Sequence, residues 1–491
     1  MAVSFNEIPL SLLTPGVFAE LDTSRAVQGI STLPHESLIT GQMLAAGSAT
    51  AGAMYVIDSA AQAASLFGAG SQLAQMAAAY KAADPLTPLF ACGLADIGGG
   101  TAATGGIDWT GTATEAGSLV LYLGGRRVVV AVPDGMTAAD LETAALAALA
   151  LETDLPVTVA GDSSTGLDIT AKHKGAIGNQ IMLGVCLLDD ERVPAGISVT
   201  VTAMSGGATD PDFDAVVTAM SEDQYATTVT GLVDATETGT LITELESRLT
   251  ALRAIEGTVF GAKYDTRANL TTLGNSFNSA VFCLIGAEPS ALLPLPWELA
   301  AKVAGMDALQ AKTDPARATG GQLVPGTRGA HRGARFTRAQ RDILLSDGIA
   351  TVATQRDGRL LLERLVTTYQ TNTLGLADPS LRDQQVLRLF AAIRYSTRAR
   401  VAQRFARFKL VGDESTIPPG QPMTNPKGIK AEIVALANEW RLAGWIENLG
   451  QFTEELYVER DQNDPNRVNM VLPPDFVNNL LVVAAKISYK L

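Results

Sequence analysis

Tyr225-Ala-Thr-Thr-Val-Thr-Gly-Leu-Val233, Thr258-Val-Phe-Gly-Ala262 and Ala280-Val-Phe-Cys-Leu-Ile285 are three short runs without a charged residue. Runs of this length that skip the polar–apolar alternation read as strands buried on both faces, the habit of a parallel sheet under helices. The chain between the first two supplies a covering helix, because Leu241, Leu245, Leu249 and Leu252 recur at spacings of four and three. Strand, helix and strand in alternation define an α/β sheet. This places an α/β body over 209–370, with 21–106 as its first part.

Working outward, Ile97-Gly-Gly-Gly-Thr-Ala-Ala-Thr-Gly-Gly106 and Ser205-Gly-Gly-Ala-Thr-Asp-Pro211 are small, flexible stretches that read as joints. Between them, 107–208 reads as an inserted α+β domain on the surface of the body. A strand pair, Leu119–Leu123 and Arg127–Val132, turns through Gly124-Gly125. A helix follows with Thr137 as N-cap and Leu141, Ala145 and Leu149 on one face. Strands are expected at Val157–Ala160, Leu167–Ala171, Ile181–Leu187 and Ile197–Thr202. Beyond the body, Thr337-x-x-Gln340 forms a capping box for a short helix stopping at Gly348. A C-terminal α+β domain over 371–479 carries a helix with Ile429, Ile433, Leu436 and Trp440, then strands at Glu455–Glu459 and Arg467–Leu472.

Both chain ends look sticky. In 480–491, Leu481, Val483, Ala485, Ile487, Tyr489 and Leu491 share one face of an alternating strand. In 1–20, Val3 and Phe5 share one parity and Ile8, Leu10 and Leu12 the other, with Pro9 suited to an edge or an arm. Ends fray unless something ties them down. An apolar face reaching the last residue therefore belongs in a sheet, either the chain's own or a neighbour's by strand exchange.

At 491 residues, 47% of them hydrophobic, the chain has length for about three domains of roughly 150 residues. No apolar run nears the roughly 20 residues that cross a bilayer. The start, Met-Ala-Val-Ser-Phe-Asn-Glu, lacks a signal peptide's basic and apolar regions, so a soluble protein made in the cytoplasm is expected. Cys92, Cys186 and Cys283 are isolated and read as small buried hydrophobes. The net charge of −14 is uneven: residues 1–320 carry 14 Lys+Arg against 34 Asp+Glu, whereas 325–409 carry 16 against 6. A basic region on an acidic body suits an acidic protein partner better than nucleic acid.

The sequence offers little chemistry. His35, His173 and His331 have no ligand or catalytic spacing, and there is no Walker A loop or Gly-x-Ser-x-Gly elbow. Asp189-Asp190-Glu191 reads as a solvated loop, and the glycine-rich loop 320–333 carries Arg328, His331 and Arg332. No cofactor or metal is expected. One charge pattern stands out: Arg400, Arg404 and Arg407 fall at i, i+4 and i+7, with Arg394 and Arg398 extending them and no acid between Gln384 and Gly412. Val401, Phe405 and Phe408 repeat that spacing one residue on, which would anchor the helix and turn the arginines outward. Such a face is either merely solvated or meets an acidic partner.

Arg341-Asp-Ile-Leu-Leu-Ser-Asp-Gly-Ile-Ala-Thr-Val352 with Asp357-Gly-Arg-Leu-Leu-Leu-Glu-Arg-Leu-Val-Thr-Thr-Tyr369 is similar to the signature region of Mu-like phage contractile tail sheath proteins. Pro15-Gly-Val-Phe18 and the Ala391–Ala406 segment share the likeness, which covers the chain outside the insert. The resemblance implies a non-enzymatic subunit, placed in the virion tail after assembly in the host cytoplasm. It implies stacked hexameric rings around a tail tube, terminal arms exchanged between subunits, and contraction that drives the tube through the host envelope. It further implies a subtilisin-like body without a triad. Tube, baseplate and tail terminator proteins would be the partners, with no nucleic acid and no membrane insertion. The arginines would then face the tube. The sheath of a bacterial injection or secretion system, or a degenerate subtilisin-like hydrolase, are the competing readings.

Overall fold

The computed structural model describes residues 13–19, 29–162, 165–418 and 420–489. It divides into two compact units: His35–Leu387, and Arg388 onward with the described residues before His35.

The first unit opens with β1 (Ser37–Gln42), β2 (Met54–Ile57), α1 (Ala60–Phe67), α2 (Gln72–Ala83) and β3 (Leu89–Leu94). Ser59 and Ser71 cap the two helices by accepting from Gln62 and Ala74 N–H. The chain then leaves for the insert: β4 (Ala102–Gly111), β5 (Gly117–Leu123), β6 (Arg126–Val132), α3 (Ala138–Leu149), β7 (Val157–Gly161), β8 (Gly166–Lys174), β9 (Leu183–Val185) and β10 (Ile197–Ser205). It returns through α4 (Asp214–Met220), β11 (Thr227–Thr230), α5 (Glu237–Leu249), β12 (Thr258–Tyr264), α6 (Arg267–Gly274), β13 (Phe282–Ala287), α7 (Pro296–Thr313), β14 (Gln322–Arg328), α8 (Arg338–Ser346), β15 (Ile349–Thr354) and β16 (Arg359–Arg364).

These returning strands join the opening ones in a nine-stranded sheet ordered β14-β16-β15-β13-β12-β11-β1-β3-β2. From β15 to β3 the pairing is parallel, and β16, β14 and β2 add antiparallel edges. Every residue of β1, β11 and β13 is buried, as uncharged runs under helices require. α7 is buried along most of its length and packs on α2. Arg248, fully buried on α5, ties its helix to the preceding loop: it donates to Glu244, to the Asp223 carbonyl and to the Ser221 carbonyl. α5 ends at Leu249, so Leu252 lies beyond the expected helix and is 99% exposed.

The insert forms a four-stranded sheet, β10-β4-β8-β7, and a three-stranded one, β6-β5-β9. Thr137 and Asp140 complete the capping box of α3, and Leu141, Ala145 and Leu149 are buried. The stretch 97–106, expected as a flexible joint, enters β4 at Ala102, and that strand sits between β10 and β8. Its small residues serve close packing: Ala103 is buried, and a Cβ at Gly105 would come within 2.8 Å of the Thr202 carbonyl oxygen. Composition alone does not separate a flexible glycine from a crowded one.

The insert also shares one continuous apolar core with the nine-stranded sheet's layer, and polar contacts bind the two. Gln72 N–H, at the start of α2, donates to His173 Nε2 at 3.0 Å, which leaves Nδ1–H to face Asp96 at 3.0 Å. Gln42 Nε2 reaches the Lys174 carbonyl, Tyr264 N–H reaches Gln180, and Arg126 joins Glu298 on α7 at 2.9 Å.

The second unit contains most of α9 (Gln384–Phe405), α10 (Pro426–Leu442) and α11 (Leu449–Glu455). Asn425 caps α10 through Gly428 N–H, with Pro426 at its first position. Ile429, Ile433, Leu436 and Trp440 are buried as the spacing predicts. Trp440 donates to Ser396 Oγ on α9 at 3.0 Å and meets Phe452 of α11 edge-on. A hairpin pairs Tyr457–Arg460 with Val468–Val471.

Candidate assembly surfaces

The arginine pattern of α9 resolves into distinct environments. Arg400 is 9% exposed and turned onto α10, where its guanidinium donates to Glu432 at 3.0 Å and Glu439 at 2.5 Å, and to the Gly29 carbonyl at 3.5 Å. Burial opposes its charge, but the two carboxylates hold it cationic. Arg404 shares Glu432 at 3.2 Å and is half exposed. The expected outward stripe therefore fails at Arg400, because acids 32 and 39 positions later in the chain neutralise what looked unbalanced locally. Arg407 also leaves the stripe: α9 stops at Phe405, and Arg407 sits past its end in left-handed backbone with φ 62°. Arg394 stacks over the Phe390 ring at 5.8 Å, and Arg398 is exposed. Glu432 and Glu439 are the functional residues that local reading missed; their i, i+7 spacing on an amphipathic helix was the available signal.

Expected arm residues Val3, Phe5, Ile8, Leu10, Leu12 and Leu491 lie outside the described residues. Around Pro15-Gly-Val-Phe18 no strand forms among the described residues, and Val17 is exposed. At the other end, residues 477–489 join no sheet among the described residues, and Ala485 is exposed like its neighbours. Leu480 is 82% exposed, Val483 77%, Ile487 91% and Tyr489 81%; Leu481 is exposed too. The strand-like pattern is thus uncovered among the described residues.

For chemistry, the described residues contain no group of three or more His, Cys, Asp or Glu able to hold a metal. Cys92 and Cys283 are buried as expected, Cys186 partly so. Ser290, after β13, faces His331 Nδ1 at 3.2 Å. Among the described residues no carboxylate bonds His331, so this pair lacks the orienting acid of a Ser–His relay. Asp189 and Asp190 are exposed, whereas Glu191 is tied down by Tyr122 Oη–H and Arg127.

The model of the phage tail sheath C-terminal domain matches residues 377–490, the stretch that holds the helix pair and the uncovered tail. Along its whole length the chain is 34% identical, over 493 aligned residues and 100% of both sequences, to the Mu-like prophage FluMu tail sheath protein of Haemophilus influenzae. The chain belongs to the Mu-like phage tail sheath family. It is accordingly a tail sheath subunit. Solved structures show a fainter likeness. The sheath tail protein of Listeria innocua is 14% identical with a TM-score of 0.49, covering 92% of this chain and 94% of that one. The helical sheath of the anti-feeding prophage in its contracted state is 14% identical with a TM-score of 0.48, covering 97% and 99%.

For a sheath family member the relevant sites are surfaces. Arg400 and its glutamates tie α9 to α10, and the tail is an exposed apolar segment with strand-like alternation.

Proposed function

We propose that the chain polymerises as stacked hexameric rings around a tail tube, linked by its terminal segments, and contracts to drive the tube through the host envelope. The observation that carries this reading is the apolar run 480–489, exposed and outside every sheet among the described residues. A strand that covers no core of its own gains its hydrogen bonds and burial from a neighbouring sheet. The role is structural. Tube, baseplate and terminator proteins are its partners, and the virion tail is its place after assembly in the host cytoplasm.

The parallel sheet under helices supports a subtilisin-like reading of 209–370. The arginines that reach the surface and would face the tube are Arg398, Arg404 and Arg407, with Arg394 beside them. Contacts of exposed charges are weak singly, roughly 0–1 kcal/mol each, and multiply over a lattice.

Deleting residues 480–491 tests the linkage. The truncated protein should stay soluble with unchanged circular dichroism and form no tubes under negative stain. Tubes of normal length would refute the linking role, and an unfolded product would place the strand in the subunit's own core.

A further inference from the structure

The glycine-rich basic loop and the acidic Asp189-Asp190 pair, far apart in the sequence, meet across one open crevice of about 850 Å³. It is lined by Arg328, Arg332, Arg335, Arg356 and Arg359, drawn from the end of β14, the loop after it, the β15–β16 turn and the start of β16. Little of that charge is used within the chain. Arg359 is paired with Asp357 at 2.6 Å, and Arg335 is turned onto the Ala330 carbonyl at 2.8 Å. Arg332 reaches Asp189 only at 3.8 Å, with both side chains more than four-fifths exposed. Among the described residues Arg328 and Arg356 meet no acid.

Opposite charge collects elsewhere on the same rim. Asp210, Asp212 and Asp214 lead into α4, Asp234 follows β11, and Glu237 opens α5. Burial, then repulsion from those four aspartates, pushes the Glu237 carboxyl up. Asp210 and Asp234 accept backbone N–H groups, from Ile177 and from Thr236 and Glu237. Asp212 and Asp214 face solvent.

β11, β15 and β14 run in one direction, so both patches sit at the C-terminal ends of strands. β13 and β12 separate β15 from β11, which at roughly 4.8 Å per step is about 14 Å. β14 lies two further steps away. Those separations exceed the Debye length of about 8 Å at physiological salt, so the patches cannot neutralise each other within one subunit. In an assembly of identical copies, however, every crevice is offered a neighbour's acidic rim.

We propose that the arginine crevice is the receptor for the acidic rim Asp212–Asp214–Glu237 of a second copy of this chain. The contact rests on the polymerisation reading above and adds to it a defined charge-paired interface. Two different patches meeting make a heterologous contact, the type from which rings and helices are built. Asp189 and Asp190 hold part of the crevice in the lone subunit and yield it as the neighbour docks.

A charge swap in the full chain tests this. One variant carries R328E, R332E and R356E; a second carries D212K, D214K and E237K; a third carries all six. Assembly is followed by sedimentation and negative stain across salt concentrations. Three exposed pairs at roughly 0.5–1 kcal/mol each predict that either single set raises the concentration needed for tubes about tenfold or more. The six-fold variant, whose copies match again, should recover most of that loss. Its recovery would exclude misfolding as the cause of the single failures. Tubes unaffected by either set would overturn the contact while leaving polymerisation intact. So would a six-fold variant that melts like the parent yet assembles no better than the single sets. A parent chain that forms no tubes would bring down the polymerisation reading and this contact together.

Discussion

Replacing Arg400 with Ala should destabilise the C-terminal unit by about 3 kcal/mol, whereas Arg404→Ala should cost less than about 1 kcal/mol. The difference follows from burial. The Arg400 side chain is 11% exposed and donates to two carboxylates and a carbonyl, while that of Arg404 is 46% exposed and shares one of those carboxylates. Breaking a buried ion pair from one side costs roughly 3–5 kcal/mol, because the abandoned partner stays desolvated. Glu432 and Glu439 keep 21% and 26% of their side-chain surface exposed. Water can therefore reach them, and the low end of that range applies. For a unit comprising residues 1–34 and 388–491, each kcal/mol moves the melting temperature by roughly 3–4 °C, so a drop of about 10 °C is expected. Tryptophan fluorescence on heating reads it, since Trp440 bridges α10 to Ser396 on α9. Combining R400M with E432Q and E439Q should recover much of the loss, as removing all members of a buried network costs less than orphaning some. An Arg400→Ala protein that melts within about 1 kcal/mol of the parent but no longer holds its tube would refute the reasoning and return Arg400 to an outward role.

Two further outcomes follow from the first unit. Glu288 is buried with its Oε2 unpartnered among the described residues, and burial raises its carboxyl above the ordinary 4.5. The native state therefore holds a proton that the unfolded chain releases once the pH passes about 4.5, and parent stability falls as pH rises from there to the raised value. Glu288→Gln should melt higher than the parent at neutral pH and equal to it below that window; a difference that is the same at every pH would disprove the assignment. Replacing 107–208 by a short Gly/Ser linker should yield insoluble protein, because the insert shares the apolar core and its His173, Gln180 and Arg126 contacts hold α2, β12 and α7. Recovery of a soluble, cooperatively melting deletion would show that the insert is detachable.

What the sequence by itself determined is the local grammar. Uncharged runs at 225–233, 258–262 and 280–285 identified buried strands because a strand covered on both faces cannot keep a polar parity. Thr137–Asp140 and Thr337–Gln340 marked helix starts because a cap is made by residues three apart. The 341–369 stretch identified the family, and the full-length relative agrees with it. What only the tertiary structure decided is every relation between distant residues. The charge on α9 looked unbalanced until Glu432 and Glu439 folded onto Arg400. The glycines at the start of β4 looked flexible until β10 closed against Gly105. Asp189 and Arg332 read as unrelated loops until the fold set them across one crevice. Propensity and capping act over a few residues and are written in order along the chain. Ion pairing and close packing depend on distances in space, and those exist only once the sheet has brought its strands together.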